Sequence, residues 1–181
     1  MTNRALIAGI AALILGVGGA ATAQDVVPES LAVSVAAAGG TGPVTHLPLP
    51  RFVSMKAHEG NVRRGPSLTH RIDWVFKRQD MPLEVVAEHG HWRRVRDQDG
   101  MGGWVHYSLI SGARTVLVQD ETVEMRLRPD DRSAVVARLE QGVVARLDDC
   151  LIDWCKLRVG SYRGWAPKTG LWGVGANELR D

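Results

Sequence analysis

The stretch Asn61-Val62-Arg63-Arg64-Gly65-Pro66 recurs roughly 60 residues later as Glu124-Met125-Arg126-Leu127-Arg128-Pro129. Three further blocks recur in the same order and at nearly the same spacing: Trp92-Arg93-Arg94-Val95 with Trp154-Cys155-Lys156-Leu157, Gly103-Trp104-Val105 with Gly164-Trp165-Ala166, and residues 109–112 with residues 170–173. Blocks that match in order at a fixed period indicate two copies of one structural unit. We place the copies at residues 51–113 and 114–176.

Each copy has the sequence pattern of a small all-β unit. Residues 83–88 and 143–147 are rich in Val and Leu and partly alternate with period two, which is typical of strands. Gly or Pro interrupts the chain at short intervals, which would break the interior of any helix. The pattern predicts about five or six short strands in each copy.

The order Asn-Val-Arg-x-Gly-Pro, Trp-x-Arg-Val and Gly-Trp-Val in the first copy resembles the bacterial SH3-like (SH3b) domain. A closer resemblance, to an exported two-domain family of alphaproteobacteria, rests on residues 72–76, 103–112, 150–155 and 171–174. The resemblance implies two tandem SH3-like β-barrels. The second copy departs from the pattern, with Glu124 and Arg128 in place of Asn61 and Gly65, so ligand properties of the first copy do not transfer to it.

The N-terminus predicts export. Arg4 precedes an apolar run at residues 5–17, and a stretch of small residues ends at Ala23, which together indicate a secretory signal peptide over residues 1–23. The apolar run is shorter than the roughly 20 residues needed to cross a bilayer, and no later segment is apolar enough to span one. Residues 24–50 read as a flexible linker and residues 177–181 as a C-terminal tail. We expect a periplasmic or secreted protein.

Cys150 and Cys155 are the only cysteines. The repeat sets them opposite Glu88 and Arg93, on either side of a predicted hairpin turn, and in an oxidising compartment we expect them to form a disulfide. A redox-active dithiol is the alternative, although that chemistry favours a Cys-x-x-Cys spacing. Strict alternation would put the two cysteines on different faces, so the disulfide requires a bulge at residues 148–149.

Tryptophans mark the candidate ligand site. Period-two alternation places Trp92 on the outer face beside Arg94, where the two side chains could bind a ligand. The alternative is that Trp92 serves stability, through inter-domain packing or by stacking with the arginine. Trp74 lies in a charged segment, residues 67–80. We expect its side chain to be either an exposed binding anchor or a plug that folds back onto the barrel. Trp104 is expected to serve packing. The candidate ligand contacts are Trp74, Trp92, Arg93, Arg94 and Tyr107.

Composition and motifs narrow the function. Twenty-two basic residues stand against 20 acidic ones, for a formal net charge of +2, which argues against nucleic acid as the partner. We find no catalytic triad order, phosphate loop or metal-ligand set, and therefore predict no enzymatic activity, no cofactor and no metal site. The resemblance implies binding of a peptidoglycan stem peptide or an envelope protein segment. The alternative is a scaffold that positions or regulates a separate cell-wall hydrolase.

Overall fold

The computed structural model describes residues 39–181, and the predicted signal peptide lies outside this range. The strands of the first sheet are β3 (Arg51–Met55), β4 (Gly60–Arg63), β5 (Ile72–Phe76), β6 (Pro82–His89), β7 (Trp92–Arg96), β8 (Gly102–His106) and β9 (Ile110–Ser111). They form a seven-stranded antiparallel sheet with the spatial order β5-β4-β8-β7-β6-β3-β9. We call this unit the first barrel.

The strands of the second sheet are β10 (Thr115–Val118), β11 (Thr122–Arg126), β12 (Val135–Glu140), β13 (Val144–Cys150), β14 (Trp154–Val159), β15 (Tyr162–Pro167) and β16 (Leu171–Trp172). This seven-stranded sheet repeats the first strand for strand, with the order β12-β11-β15-β14-β13-β10-β16. We call this unit the second barrel. The predicted duplication and all-β fold are confirmed. The count is seven strands rather than five or six, because a two-residue strand after each 3₁₀ turn returns beside the first strand of its sheet.

Each barrel encloses its own hydrophobic core. The first core is built around fully buried aliphatic residues such as Val62, Leu83 and Val105. The second is built around Met125 and Leu157. Two separate buried clusters, rather than one intermingled core, are what a duplicated small domain requires.

The repeated Gly-Trp motif follows from a close approach of two strands. A Cβ on Gly103 would lie 2.7 Å from the carbonyl oxygen of Arg63, and a Cβ on Gly164 would lie 2.7 Å from that of Arg126. At this distance only glycine lets β8 and β15 pass beside β4 and β11.

The repeated arginine of the first motif fastens a loop. Arg63 Nη1 donates to the carbonyl oxygen of His70 at 2.7 Å, and Arg126 Nη1 donates to that of Ser133 at 2.8 Å. Both arginines therefore serve the same structural role in the two copies.

The N-terminal part of the described chain differs from the predicted linker. Residues 40–49 form a hairpin of two short strands, β1 (Gly40–Thr41) and β2 (Pro48–Leu49). The turn of this hairpin binds the buried side chain of Glu88, a contact between residues about 40 positions apart that local composition does not encode.

The barrels touch through β3 and β10. The buried Thr115 Oγ1 lies 2.6 Å from Ser54 Oγ and donates to the carbonyl oxygen of Asp80 at 2.7 Å. Nearby, the rings of Phe52 and Trp172 meet edge to face at a centroid distance of 5.3 Å. Within residues 39–181, no helix is long and apolar enough to cross a membrane.

Candidate functional site

Trp92 and Tyr107 lie at one end of the first barrel, in a cluster of four rings. Trp92 and His106 are cross-strand partners whose rings are 5.5 Å apart in an edge-to-face arrangement. His106 lies 4.8 Å from Tyr107, and His91 lies 5.5 Å from Tyr107, both measured between ring centroids. The candidates Trp92 and Tyr107 are thus brought together by two histidines that sequence reasoning left out. The sequence signal for these histidines was their position: His91 lies in the turn after β6, and His106 is the last residue of β8.

Arg94 lies next along the same outer face. It is exposed and pairs across the strands with the half-buried Trp104, while its neighbour Val95 is buried in the core. Among residues 39–181 no carboxylate forms an ion pair with Arg94, whereas its neighbour on this face, Arg96, is paired with Glu84. Arg94 therefore offers an unpartnered guanidinium beside an aromatic ring.

A cleft of about 840 Å³ runs over this face. Its lining includes Arg94 and Trp104 from β7 and β8, and Val86 and Ala87 from β6, whereas Trp92 and Tyr107 lie outside it. A space of this size suits a small ligand or a short peptide segment.

Arg93 lies on the opposite face from Arg94 and does not join it in the cleft. It is 7% exposed, its Nε lies 3.5 Å from Glu88 Oε1, and its Nη1 donates to the carbonyl oxygens of Gly90 and Trp92. The candidate contacts Arg93 and Arg94 are therefore not brought together, because adjacent side chains of a strand point to opposite faces.

Glu88 is the centre of the buried polar group that holds Arg93. The backbone N–H groups of Val44 and Thr45 donate to Oε2 at 3.1 and 2.9 Å, and Thr45 Oγ1 and Arg51 Nη2 donate to Oε1 at 2.6 and 2.7 Å. Burial raises the pKa of Glu88, but the hydrogen bonds from Thr45, Arg51 and Val44 outweigh it and lower the pKa to about 2.

Trp74 belongs to strand β5 rather than to a loop. It is half-buried, packs against the core of the first barrel, and lies 6.2 Å from Phe76 between ring centroids. Its Nε1 is buried and has no hydrogen-bond partner among residues 39–181. This arrangement resembles the predicted plug more than the exposed anchor, and Trp74 does not line the cleft.

In the second barrel the residue that corresponds to Arg94 has a charged partner. Lys156 occupies the position of Arg94, lies 5.8 Å above the ring of Trp165, and forms an ion pair with Asp149 at 3.4 Å. Asp149 stands where the first barrel has Ala87. The position of Arg94 is therefore ion-paired in the second barrel and unpartnered in the first.

The disulfide between Cys150 and Cys155 is confirmed, with an S–S distance of 2.02 Å. The register shifts between Leu147 and Cys150, so residues 148 and 149 form the bulge that the pairing requires. Both cysteines are consequently buried with Leu147 and Leu157. In the described part of the chain no group of three or more His, Cys, Asp or Glu side chains is arranged to hold a metal ion.

Comparison with known proteins agrees with the duplicated fold. Residues 56–112 and residues 119–173 each match the family described as Bacterial SH3 domain. The chain belongs to the bacterial SH3 domain family. The two matches cover most of the described residues, so this family accounts for both barrels.

One relative of this bacterial SH3 chain is YrvJ of Bacillus subtilis (strain 168), a protein named as an N-acetylmuramoyl-L-alanine amidase. It is 26% identical over an alignment of 152 positions that covers 73% of this chain and 29% of YrvJ. The chain thus spans less than a third of this relative's length. Two solved structures, NlpC2 and NlpC1 from Trichomonas vaginalis, overlap 68% and 67% of this chain and 48% and 45% of theirs. They share 9% and 10% identity, and at TM-scores of 0.32 they support no conclusion about function.

Proposed function

We propose that this chain is an exported, non-catalytic protein of the bacterial cell envelope that binds its ligand through the outer face of the first barrel. The ligand is a peptide carrying free carboxylates, either a peptidoglycan stem peptide or an extended segment of an envelope protein. Similarity to a protein named for N-acetylmuramoyl-L-alanine, the junction between sugar and peptide in peptidoglycan, supports the first of these ligands.

The unpartnered guanidinium of Arg94 is the observation that carries this proposal. An arginine fork matches a carboxylate in two parallel hydrogen bonds, and charge-assisted bonds of this kind are stronger than neutral ones. The corresponding Lys156 is occupied by Asp149, so the second barrel lacks the same free donor. The contrast supports the first barrel as the peptide site.

The rings beside Arg94 provide the apolar part of the site. Trp104 faces Arg94 across the strands, and Trp92, His106 and Tyr107 extend the same surface towards the end of the barrel. Large rigid rings supply contact area at a small entropic cost, which is why they are frequent binding anchors. A peptide lying along this face would place a carboxylate on Arg94 and its backbone or side chains on the rings.

Export fits the disulfide. Disulfides form and persist in oxidising compartments. The Cys150–Cys155 bond and the predicted signal peptide therefore both support a periplasmic or secreted location. Both features support the cell envelope as the place of action.

A scaffold for a separate cell-wall hydrolase is the second candidate function. The buried bonds of Thr115 to Ser54 and Asp80, together with the Phe52–Trp172 contact, favour it because they join the barrels into one joint surface. In that case the partner would contact residues of both barrels rather than the first alone.

Co-sedimentation of the purified protein with cell-wall sacculi tests the proposal. We expect Arg94→Gln to lower the affinity at least about tenfold, since a charge-assisted bond contributes about 1.5–3 kcal/mol. Trp92→Ala should lower it as well. Arg138→Gln is the matched control, because Arg138 is an exposed arginine on β12, away from the cleft.

One result would contradict the proposed site, and another would decide between the two ligands. Equal binding by Arg94→Gln and Arg138→Gln would remove the first-barrel site. Failure of the wild type to sediment with sacculi would remove peptidoglycan and leave the protein ligand, to be sought by crosslinking from position 107. Trp74→Ala is a poor probe, because this side chain packs on the core and its loss would destabilise the barrel.

A further inference from the structure

Three arginines of the second barrel lie side by side in one row across three strands. Arg146 on β13 pairs in register with Arg158 on β14, and Arg158 pairs with Arg163 on β15. Residues paired in register project from the same face of a sheet. The neighbouring Leu147 and Leu157 point into the core, so the arginines lie on the outer face.

The equivalent row of the first barrel carries no such concentration of charge. There Glu84 pairs with Arg96, and Arg96 pairs with Gly102. Glu84 and Arg96 form an ion pair that compensates the single arginine. The scaffold itself therefore does not demand three cations at this place.

The arginine row is only partly neutralised. Asp148 pairs with Arg158, with oxygen–nitrogen distances of 2.5 and 3.2 Å. Arg146 and Arg163 are exposed and form no ion pair with a carboxylate of residues 39–181. Like charges placed directly opposite each other on a sheet destabilise it. An unfavourable arrangement that the sister barrel avoids is typical of a binding site.

A second cleft, of about 410 Å³, lies against this row. Five arginines and one lysine line it, against two aspartates: Arg114, Arg146, Arg158, Arg163, Arg180, Lys156, Asp148 and Asp149. Arg114 is held by Glu178 at 2.6 and 3.0 Å, and Arg180 Nε donates to the carbonyl oxygen of Asp148 at 3.1 Å. These contacts hold the two arginines at the rim while the exposed arginines stay free.

We propose that this cleft binds a ligand with closely spaced phosphate groups. Guanidinium groups present forked donors that match phosphate oxygens, and several of them together suit a multiply charged anion better than a single carboxylate. The space is large enough for a diphosphate. The phosphates belong to a soluble molecule or to a lipid headgroup, and the two sources are separable by experiment.

Isothermal titration with inorganic pyrophosphate at physiological ionic strength tests the site on the full protein. We expect saturable binding by the wild type and a loss of at least about tenfold in affinity for Arg146→Glu. This substitution reproduces the Glu84–Arg96 pair of the first barrel, so the thermal midpoint should hold or rise while binding is lost. Arg138→Gln and Arg94→Gln, which each remove one charge elsewhere, should bind as the wild type does.

Vesicles of phosphatidylcholine with and without cardiolipin, whose headgroup carries two phosphates, provide the second arm. Pyrophosphate binding without vesicle binding assigns a soluble ligand, and Arg146-dependent binding to cardiolipin vesicles assigns a lipid headgroup. The inference is overturned if the wild type binds neither probe, or if Arg146→Glu and Arg138→Gln weaken binding equally. Because Arg94 belongs to the other barrel, failure of this site leaves the peptide proposal standing, and the reverse also holds.

Discussion

Glu88 and Arg93 face each other across β6 and β7, with Glu88 Oε1 3.5 Å from Arg93 Nε and both side chains buried. The same paired positions of the second barrel hold Cys150 and Cys155, joined by a disulfide. In both barrels the pair lies just beyond a bulge in the longer strand. One position of the scaffold thus ties two strands together by an ion pair in one copy and by a covalent bond in the other.

The low pKa of Glu88 predicts acid sensitivity of the first barrel. The pKa falls from an ordinary value of 4.5 to about 2 in the folded protein. Because the folded-state pKa is the lower one, the stabilisation is complete above pH 4.5 and is lost as the pH falls from 4.5 towards 2. The loss is on the order of 3 kcal/mol. Urea denaturation at a series of pH values measures it.

Glu88→Gln provides the control for this prediction. The amide does not titrate, so the variant should be less stable at neutral pH and should lose less stability between pH 4.5 and pH 2 than the wild type. An identical pH dependence in both proteins would show that Glu88 is not the responsible group.

Reduction of the Cys150–Cys155 bond should weaken the second barrel alone. A bond that closes so short a loop contributes about 2 kcal/mol by restricting the unfolded chain. Amide hydrogen exchange with and without reductant should show faster exchange in β13 and β14 and unchanged exchange in β6 and β7. The double variant Cys150→Ala/Cys155→Ala should not respond to reductant; a response would mean that the reductant acts elsewhere.

Gly103→Ala should destabilise the first barrel. The new Cβ would lie 2.7 Å from the carbonyl oxygen of Arg63 and 2.8 Å from Val62 Cγ1, so β8 must move away from β4. We expect a loss of about 1–3 kcal/mol in the free energy of unfolding. Gly112→Ala is the matched control, since a Cβ there meets nothing within 4 Å, and its effect should stay within about 0.5 kcal/mol. Equal effects of the two substitutions would refute the close-approach explanation.

Thr115→Val should loosen the junction between the barrels. The substitution keeps the shape of the side chain but removes the hydroxyl that donates to the Asp80 carbonyl and contacts Ser54 Oγ, while Ser54 keeps its bond to the Ala113 carbonyl. The expected cost is about 0.5–1.5 kcal/mol. Amide exchange at β3 and β10 should accelerate, whereas Thr122→Val, at an exposed strand position, should leave it unchanged. Unchanged exchange in both variants would mean that the hydroxyl does not couple the barrels.

The sequence by itself determined the duplication, the all-β character and the disulfide with its bulge. These features depend on patterns that can be read along the chain without knowledge of which strands pair: the repeat of the Gly-Trp block, the alternation along a strand, and two cysteines flanking one turn. Alternation alone also placed Trp92 and Arg94 on the outer face. The alignment of Arg93 with the inward-facing Cys155 was a signal that Arg93 points inward.

The tertiary structure alone decided which side chains share a site. Alternation turns Arg93 inward, but only the tertiary structure supplies its partner there: Glu88, whose carboxylate accepts hydrogen bonds from the hairpin of residues 40–49. The row of Arg146, Arg158 and Arg163 exists because bulges and hairpin lengths set the register between β13, β14 and β15. Register is a property of paired strands, so a change of one residue in a turn would separate these side chains while leaving the local sequence pattern intact.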